Sequence, residues 1–250
     1  MGTCEDCGKR NLFRKTGKWI TIDGKQRRQM QCRCGHIQLE LPPVEAKIPP
    51  KVLYFDIETS TSRMVLDVFS MRVKTGWLDW HDIEKPFYVI CWSAAWVTDK
   101  APVILSDAVT GYEAKRRKDK RCLQGLWNLM DSADYVVGHN SIGFDVKMVN
   151  TRFLLNGMGT PQDFRQVDTY RIARTRFRPE SQALAYWSKL LGGNPKDKMC
   201  REDWDECNLG NEKAIKKMLH YNKGDVREGV NVLKKMLAHI EGNGRQTVFK

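Results

Sequence analysis

The 250-residue chain has no apolar stretch long enough to cross a bilayer. Its longest, FYVICWSAAWV at residues 87–97, falls well short of the roughly 20 residues that a spanning helix needs. The N-terminus lacks the charged-then-apolar pattern of an export signal, and neither an internal repeat nor a low-complexity tract is present. These absences speak against a membrane protein or an exported one and predict an intracellular, cytoplasmic chain. Acids are in deficit: 30 Asp and Glu stand against 42 Lys and Arg, leaving a formal charge of +12. Such a surplus favours a polyanionic partner, because basic clusters gain affinity by releasing counterions from phosphates. Basic charge also serves solubility alone, so the motifs must decide. The content of 41% hydrophobic and 10% aromatic residues supports one substantial packed domain plus a small one.

Aliphatic residues are scarce in the first forty positions, where four of the eight cysteines gather. CEDCGKR and CRCGHIQ flank KWITIDGKQRRQMQ, in which Asp23-Gly24 is a hairpin signal. A turn, a hairpin and a turn would bring Cys4, Cys7, Cys32 and Cys34 together as four thiolates on one Zn²⁺. Gly8 and Gly35 would let backbone amides fold around the sulfurs. The segment resembles a zinc ribbon, although its second pair is C-x-C and His36 is an alternative fourth ligand. Four thiolates leave no open coordination position, so this zinc is expected to be structural. The expected organisation is a ribbon at residues 1–41, a proline-rich linker at 42–50, an α/β domain at 51–240 and a flexible tail at 241–250. Within the α/β domain, strands are expected at 51–58, 87–97, 102–105 and in DYVVGHN. Helices are expected over 111–130, 143–156, 181–191 and 211–240.

KVLYFDIETS, residues 51–60, reads as a buried strand that carries two carboxylates. Alternation puts Asp56 and Glu58 on one face and Phe55 and Ile57 on the other. Two like charges at the end of an apolar run repel and lose hydration unless a cation or protons compensate. Asp145 follows a second strand at the start of an apolar helix, where Asn140 offers an amide for a carboxylate or a phosphate. Tyr221 and Asp225, four apart on a helical pattern, share a face. Four carboxylates around two divalent ions make the arrangement that stabilises attacking and leaving oxygens in phosphodiester cleavage. Oxygen-only ligands favour Mg²⁺ or Mn²⁺.

FDIET, GHNSIGFDVKMVNTR and YNKGDV, in this order, resemble the three motifs of DEDD-type 3′–5′ exonucleases. The likeness is to the tyrosine-bearing (DEDDy) branch that includes the proofreading domain of family B DNA polymerases, and it covers residues 51 to about 240. VDTYRIAR and ALAYWSKLLGG resemble helical stretches that lie between the second and third motifs of these nucleases. The resemblance implies an RNase H-like fold, a mixed sheet flanked by helices, that releases nucleoside 5′-monophosphates from a 3′ end. It gives Asp56, Glu58 and Asp225 to one metal, Asp56 and Asp145 to a second, and the orientation of the attacking water to Tyr221. His220 also satisfies the spacing of the histidine-bearing branch, but five positions back on a straight helix it points roughly 140° away from Asp225. Polymerase motifs are absent, so the expected protein is a free-standing exonuclease or a partner's subunit, in a prokaryotic or phage-infected cell.

Single-stranded DNA 3′ ends are the expected substrate. An exoribonuclease with the same site and a catalytically silent nucleic-acid-binding module are the alternatives, while a junction endonuclease is disfavoured by the Tyr221–Asp225 pair. Arg152 is a candidate phosphate contact. EAKRRKDKRC, residues 113–122, reads equally as a phosphate-binding run or a solvated helix face. Trp77 and Trp80 read more readily as packed tryptophans than as stacking platforms. The net basic ribbon suits a nucleic-acid clamp or a docking module for a replication or repair protein. Cys91, Cys122, Cys200 and Cys207 show no ligand spacing and read as ordinary reduced thiols.

Overall fold

A strand whose two faces differ in chemistry needs a separate partner for each, and the second part of the chain is built around this requirement. The computed structural model describes residues 4, 6–8, 13–22, 25–39, 49–65, 80–193 and 199–241. The expected turn at Asp23-Gly24, the linker through residue 48, Trp77 and the tail beyond residue 241 lie outside them. The chain divides into two compact units, Met1–Pro49 and Pro50–Lys250. In the first, β1 (Phe13–Ile22), β2 (Lys25–Cys32) and β3 (Ile37–Leu39) form an antiparallel sheet in that order.

The second unit runs β4 (Val52–Thr59), β5 (Arg63–Met64), a 3₁₀ turn (Trp80–Asp82), β6 (Ile83–Lys85), β7 (Val89–Trp96) and β8 (Leu105–Ala108). Helices α1 (Gly111–Lys115) and α2 (Lys120–Asp131), strand β9 (Tyr135–Gly138), helix α3 (Asp145–Leu155) and strand β10 (Arg165–Asp168) follow. Helices α4 (Thr169–Arg176), α5 (Leu184–Leu190), α6 (Arg201–Asn208) and α7 (Glu212–Glu241) complete it. Five strands make a mixed sheet in the order β10-β9-β4-β7-β8. β4 is central, parallel to β9 and antiparallel to β7. Helices flank this sheet, giving the α/β architecture expected of an RNase H-like domain.

The alternation of β4 divides the packing. Leu53, Phe55 and Ile57 join a core with Leu123, Leu126 and Met130 of α2 and Val146, Val149 and Phe153 of α3. Val52 and Tyr54 pack instead with Val226, Val230 and Leu233 of α7. Asp56 and Glu58 continue this second face, so α7 lies over the acids as well as over the apolar half of the strand. The ladder between β4 and β7 shifts register between Glu58 and Thr59, a local irregularity where the strand leaves the sheet.

The expected single helix over 111–130 is interrupted. Arg117 adopts a left-handed φ of 52°, and the chain turns so that Asp119 is fully buried. Periodicity cannot reveal such a break, because the cause is a carboxylate needed elsewhere. The strand expected at 102–105 begins instead at Leu105. Pro102 has no N–H for a ladder and Val103 is exposed. β10 and α6 were not anticipated: RQVD and REDWDECN are too polar and too short to show a period.

Two glycines of α7 give opposite expectations. A Cβ at Gly229 would overlap the ring and hydroxyl of Tyr54, whereas one at Gly224 meets nothing within 4 Å. Gly229→Ala should therefore destabilise the protein by about 1–3 kcal/mol through overpacking. Gly224→Ala should stabilise it by about 0.5–1 kcal/mol through helix propensity. Urea unfolding of the two variants checks both signs.

Candidate active site

The two acids of β4 meet α7 one strand-width from its apolar contacts. Asp56, Glu58 and Asp225 each offer a carboxylate oxygen within 4.8 Å of the other two. Asp56 stands opposite Ser93 and Glu58 opposite Cys91 of β7, so the sheet fixes their spacing. α7 contributes from a single turn: Tyr221, Asn222 and Asp225 all bear on the acids. Asn222 is fully buried, and its Nδ2 donates to Asp56 Oδ2 at 2.7 Å. No expectation had named this residue, although its place beside Tyr221 in a motif-bearing turn was visible.

Tyr221 is half-buried. Its hydroxyl is raised well above the ordinary phenol range, first by burial, then by the charges of Asp225, Glu58 and Asp56 and a hydrogen bond with Asp225. It therefore stays neutral at physiological pH. His220 is exposed on the same helix. Asp145 opens α3 and is 5% exposed, and its Oδ1 accepts the Ile57 N–H at 3.3 Å. It is outside the group of three close acids. Burial pushes its carboxyl up to about 6, opposed by the Ile57 amide. Asp145 and Asp225 both act, with Asp56, on the buried Tyr54 hydroxyl beneath the site.

The loop between β9 and α3 is held by Asp168. Its Oδ1 accepts the Asn140 N–H at 2.9 Å and its Oδ2 the Ile142 N–H at 3.2 Å, while the same side chain caps α4. Asn140 sits there at a left-handed φ of 68° and is exposed. A Cβ at Gly143 would press on the Asn140 amide, which explains that glycine. His139 is fixed by Thr169 Oγ1 at 2.9 Å and the Gln182 carbonyl at 2.7 Å.

Two expectations change. Arg152 is not a phosphate contact: it is 7% exposed and forms a two-pronged pair with Asp119, both bonds 2.8 Å, while also donating to the Phe87 carbonyl. Asp119 further accepts from Asn156 Nδ2 and the Val89 N–H. Trp80 is not packed but 71% exposed, with the His81 ring tilted against it at 3.6 Å between ring centroids. Much of the basic run 113–122 is a solvated face. Arg121 pairs with Asp107 and Glu113, while Lys115, Arg116, Lys118 and Lys120 are exposed.

The fold has counterparts among known proteins. Residues 82–237 match RNase_H_2, of the RNase_H superfamily. The chain belongs to the RNase_H superfamily. The match begins downstream of β4, whose place comes from its ladders with β7 and β9. The fold is also similar to the family B DNA polymerase of the hyperthermophilic archaeon Pyrobaculum calidifontis, with a TM-score of 0.55 and 18% identity. That alignment takes in 90% of this chain and 28% of the polymerase, and at this identity the likeness is one of fold. No curated protein matches the chain by sequence. Membership of the RNase_H superfamily supports a nuclease, and among the described residues no helix is long and apolar enough to cross a membrane.

Outside the RNase_H superfamily match, the first unit gathers a second candidate metal set. Cys4, Cys7, Cys32 and Cys34 present sulfurs that all lie within 4.8 Å of one another. Cys4–Cys34 and Cys7–Cys32 are each 3.7 Å apart, too far for disulfides. Tetrahedral zinc with bonds near 2.3 Å puts sulfurs about 3.8 Å apart, so the set fits that ion. Gly8 and Gly35, at φ of 67° and 96°, donate to the Cys4 and Cys32 carbonyls and close one turn at each cysteine pair. Cys4 and Cys32 are the buried side chains among this unit's described residues. In the second unit, Cys91, Cys122 and Cys207 are buried thiols and Cys200 is exposed.

Two measurements test these assignments. Arg152→Ala should destabilise the protein by about 3–5 kcal/mol by stranding the Asp119 charge; a phosphate contact would instead weaken substrate binding and leave stability unchanged. Asp145, with its folded value raised to about 6 from an ordinary 3.8, adds stability that is fully present below pH 4 and lost as pH rises through 6. In metal-free protein this loss should be roughly 3 kcal/mol and absent in Asp145→Asn. The Asp145 carboxyl carbon should titrate near 6 by NMR, and lower when Mg²⁺ is added.

Proposed function

We propose that the chain is a metal-dependent 3′–5′ exonuclease of the DEDDy type. It shortens single-stranded DNA, or frayed 3′ ends, to nucleoside 5′-monophosphates. The observation that carries this reading is the convergence of Asp56, Glu58 and Asp225 within 4.8 Å, with half-buried Tyr221 one helical turn before Asp225 on α7. Three carboxylates so close, offering only oxygen, suit a hard divalent cation. Asp56, Glu58 and Asp225 are the ligands of one Mg²⁺ or Mn²⁺, and Asp56 with Asp145 those of a second. Bound there, such ions stabilise charge on the attacking and leaving oxygens of an in-line displacement.

The chain's own residues supply positioning. Asn222 holds one oxygen of Asp56 and so restrains the rotation of that carboxylate. Tyr221, neutral at working pH, is a hydrogen-bonding group rather than a base, and it orients the water that attacks the terminal phosphorus. The bond from phosphorus to the 3′-oxygen of the preceding nucleotide then breaks, and that oxygen takes up a proton. The 3′ polarity follows the likeness of the three motifs to DEDD exonucleases. The four cysteines hold one Zn²⁺ that maintains the ribbon and takes no part in hydrolysis.

The test is digestion of 5′-labelled single-stranded DNA and RNA with Mg²⁺ or Mn²⁺. A ladder shrinking from the 3′ end on DNA is expected. Asp56→Ala should lower the rate at least 10³-fold and Tyr221→Phe by roughly 10- to 100-fold, within the range for loss of charge stabilisation and of one orienting group. Shortening of RNA alone would move the substrate to ribonucleotides, and internal cuts would sink the exonuclease reading.

A further inference from the structure

Beyond the close acids, β4 leaves the sheet and a groove of about 590 Å³ opens. Arg63, Lys85, Lys115 and Arg117 line it against one acid, Asp205, and Leu209 forms an apolar edge that is 66% exposed. Arg63 is paired with Glu84, which leaves three cations facing the space. The groove starts at Thr61, so its near end lies at most about 11 Å along the chain from Glu58. Its α6 wall packs through buried Cys207 into the core that holds Ile57 and Cys91. Burial, followed by the charges of Asp203, Glu206 and Glu58, pushes the Cys207 thiol up to about 12.

Arg117 is built into this floor. The left-handed turn after α1 delivers its side chain to the base of the β5–β6 hairpin. There Nη1 donates to the Thr61 carbonyl at 3.0 Å and the Pro86 carbonyl at 2.7 Å. All its hydrogen bonds leave from Nη1, so Nε–H and the second amino group remain for a ligand. The same hairpin carries an aromatic platform. The Val65 N–H donates to the Asp82 carbonyl at 3.0 Å, anchoring the turn on which Trp80 stands exposed. The pair of strands that lines the cationic groove thus also leads from an exposed aromatic ring, and cations with aromatic rings are the combination that binds single-stranded nucleic acid without regard to sequence.

We propose that this groove seats the phosphates of the single strand a few nucleotides upstream of the scissile bond, with a base stacked on Trp80. Lys85, Lys115 and Arg117 bind successive phosphates, and Leu209 lies against sugar or base. The proposal rests on the exonuclease reading and deepens it. It predicts that long strands are held by contacts that a mononucleotide ester cannot make.

The experiment compares a 20-nucleotide oligodeoxythymidylate with the nitrophenyl ester of thymidine 5′-monophosphate, using the full chain. Because Arg117 also braces the hairpin, the variant is Lys85→Glu/Lys115→Glu, with Lys100→Glu/Lys189→Glu as a control of equal charge on other exposed lysines. The groove variant should raise KM for the oligonucleotide at least tenfold and leave the ester unchanged. Its salt slope should fall by about 1.4, two phosphate contacts at about 0.7 each. Trp80→Ala should weaken binding at least fivefold. Equal oligonucleotide KM in parent and groove variant, or an equal rise in the control, overturns the proposal. If the parent hydrolyses neither substrate, the exonuclease reading fails on its own. Anisotropy of the labelled oligonucleotide then decides the groove: tenfold weaker binding by the groove variant upholds it, and unchanged binding overturns it.

Discussion

The alternation of side chains along Val52–Thr59 is the constraint on which the molecule depends. One face must be dry, and α2 and α3 supply the partners that keep it so. The other is dry only as far as Tyr54, then carries two acids that no apolar neighbour can accept. A single long helix serves both stretches: its Val226, Val230 and Leu233 cover the dry part, and one turn earlier it brings Asp225, Asn222 and Tyr221 to the acids. The hydrophobic packing of α7 thus sets the register of the acidic group. Side chains four residues apart on a rigid helix hold a spacing that a loop would not.

The site is consequently a product of packing, with electrostatic repulsion built in. Asp56, Glu58 and Asp225 are kept closer than their charges favour by contacts several ångströms away. Buried Asp145 adds a carboxyl whose ionisation its surroundings resist. Desolvated acids held in this way attract divalent cations strongly because the protein has already met the cost of assembling them.

Much of this was legible in the sequence, for reasons particular to each element. β4, β7 and β9 are apolar enough to declare themselves, and α7 has a long amphipathic period. Asp56 and Glu58 stood out because they break an apolar run. The cysteine turns were legible from their glycines. Other features lay beyond local pattern. Asp119 sits in a run of basic residues, where it reads as one solvated charge; its burial is decided by Arg152, 33 positions away. Arg152 looked like a surface cation for the same reason. Trp80 was misjudged because tryptophan is usually packed, and only the hairpin's geometry exposes it. Asn222 was overlooked because an amide has no charge to make it conspicuous.

The Asp119 carboxylate has a consequence for how the chain reaches its final form. Four donor atoms meet it from two separate stretches: the Val89 amide of β7, and, from α3 and its C-terminal cap, the Arg152 guanidinium with two bonds and the Asn156 side-chain amide. A partly assembled chain that brings in Asp119 without α3 holds a naked anion in an apolar interior, and one that brings in α3 alone strands a cation. Half-formed states are thereby penalised from both sides. This buried pair acts as an interlock, which makes docking of the helix that carries Asp145 an all-or-none event.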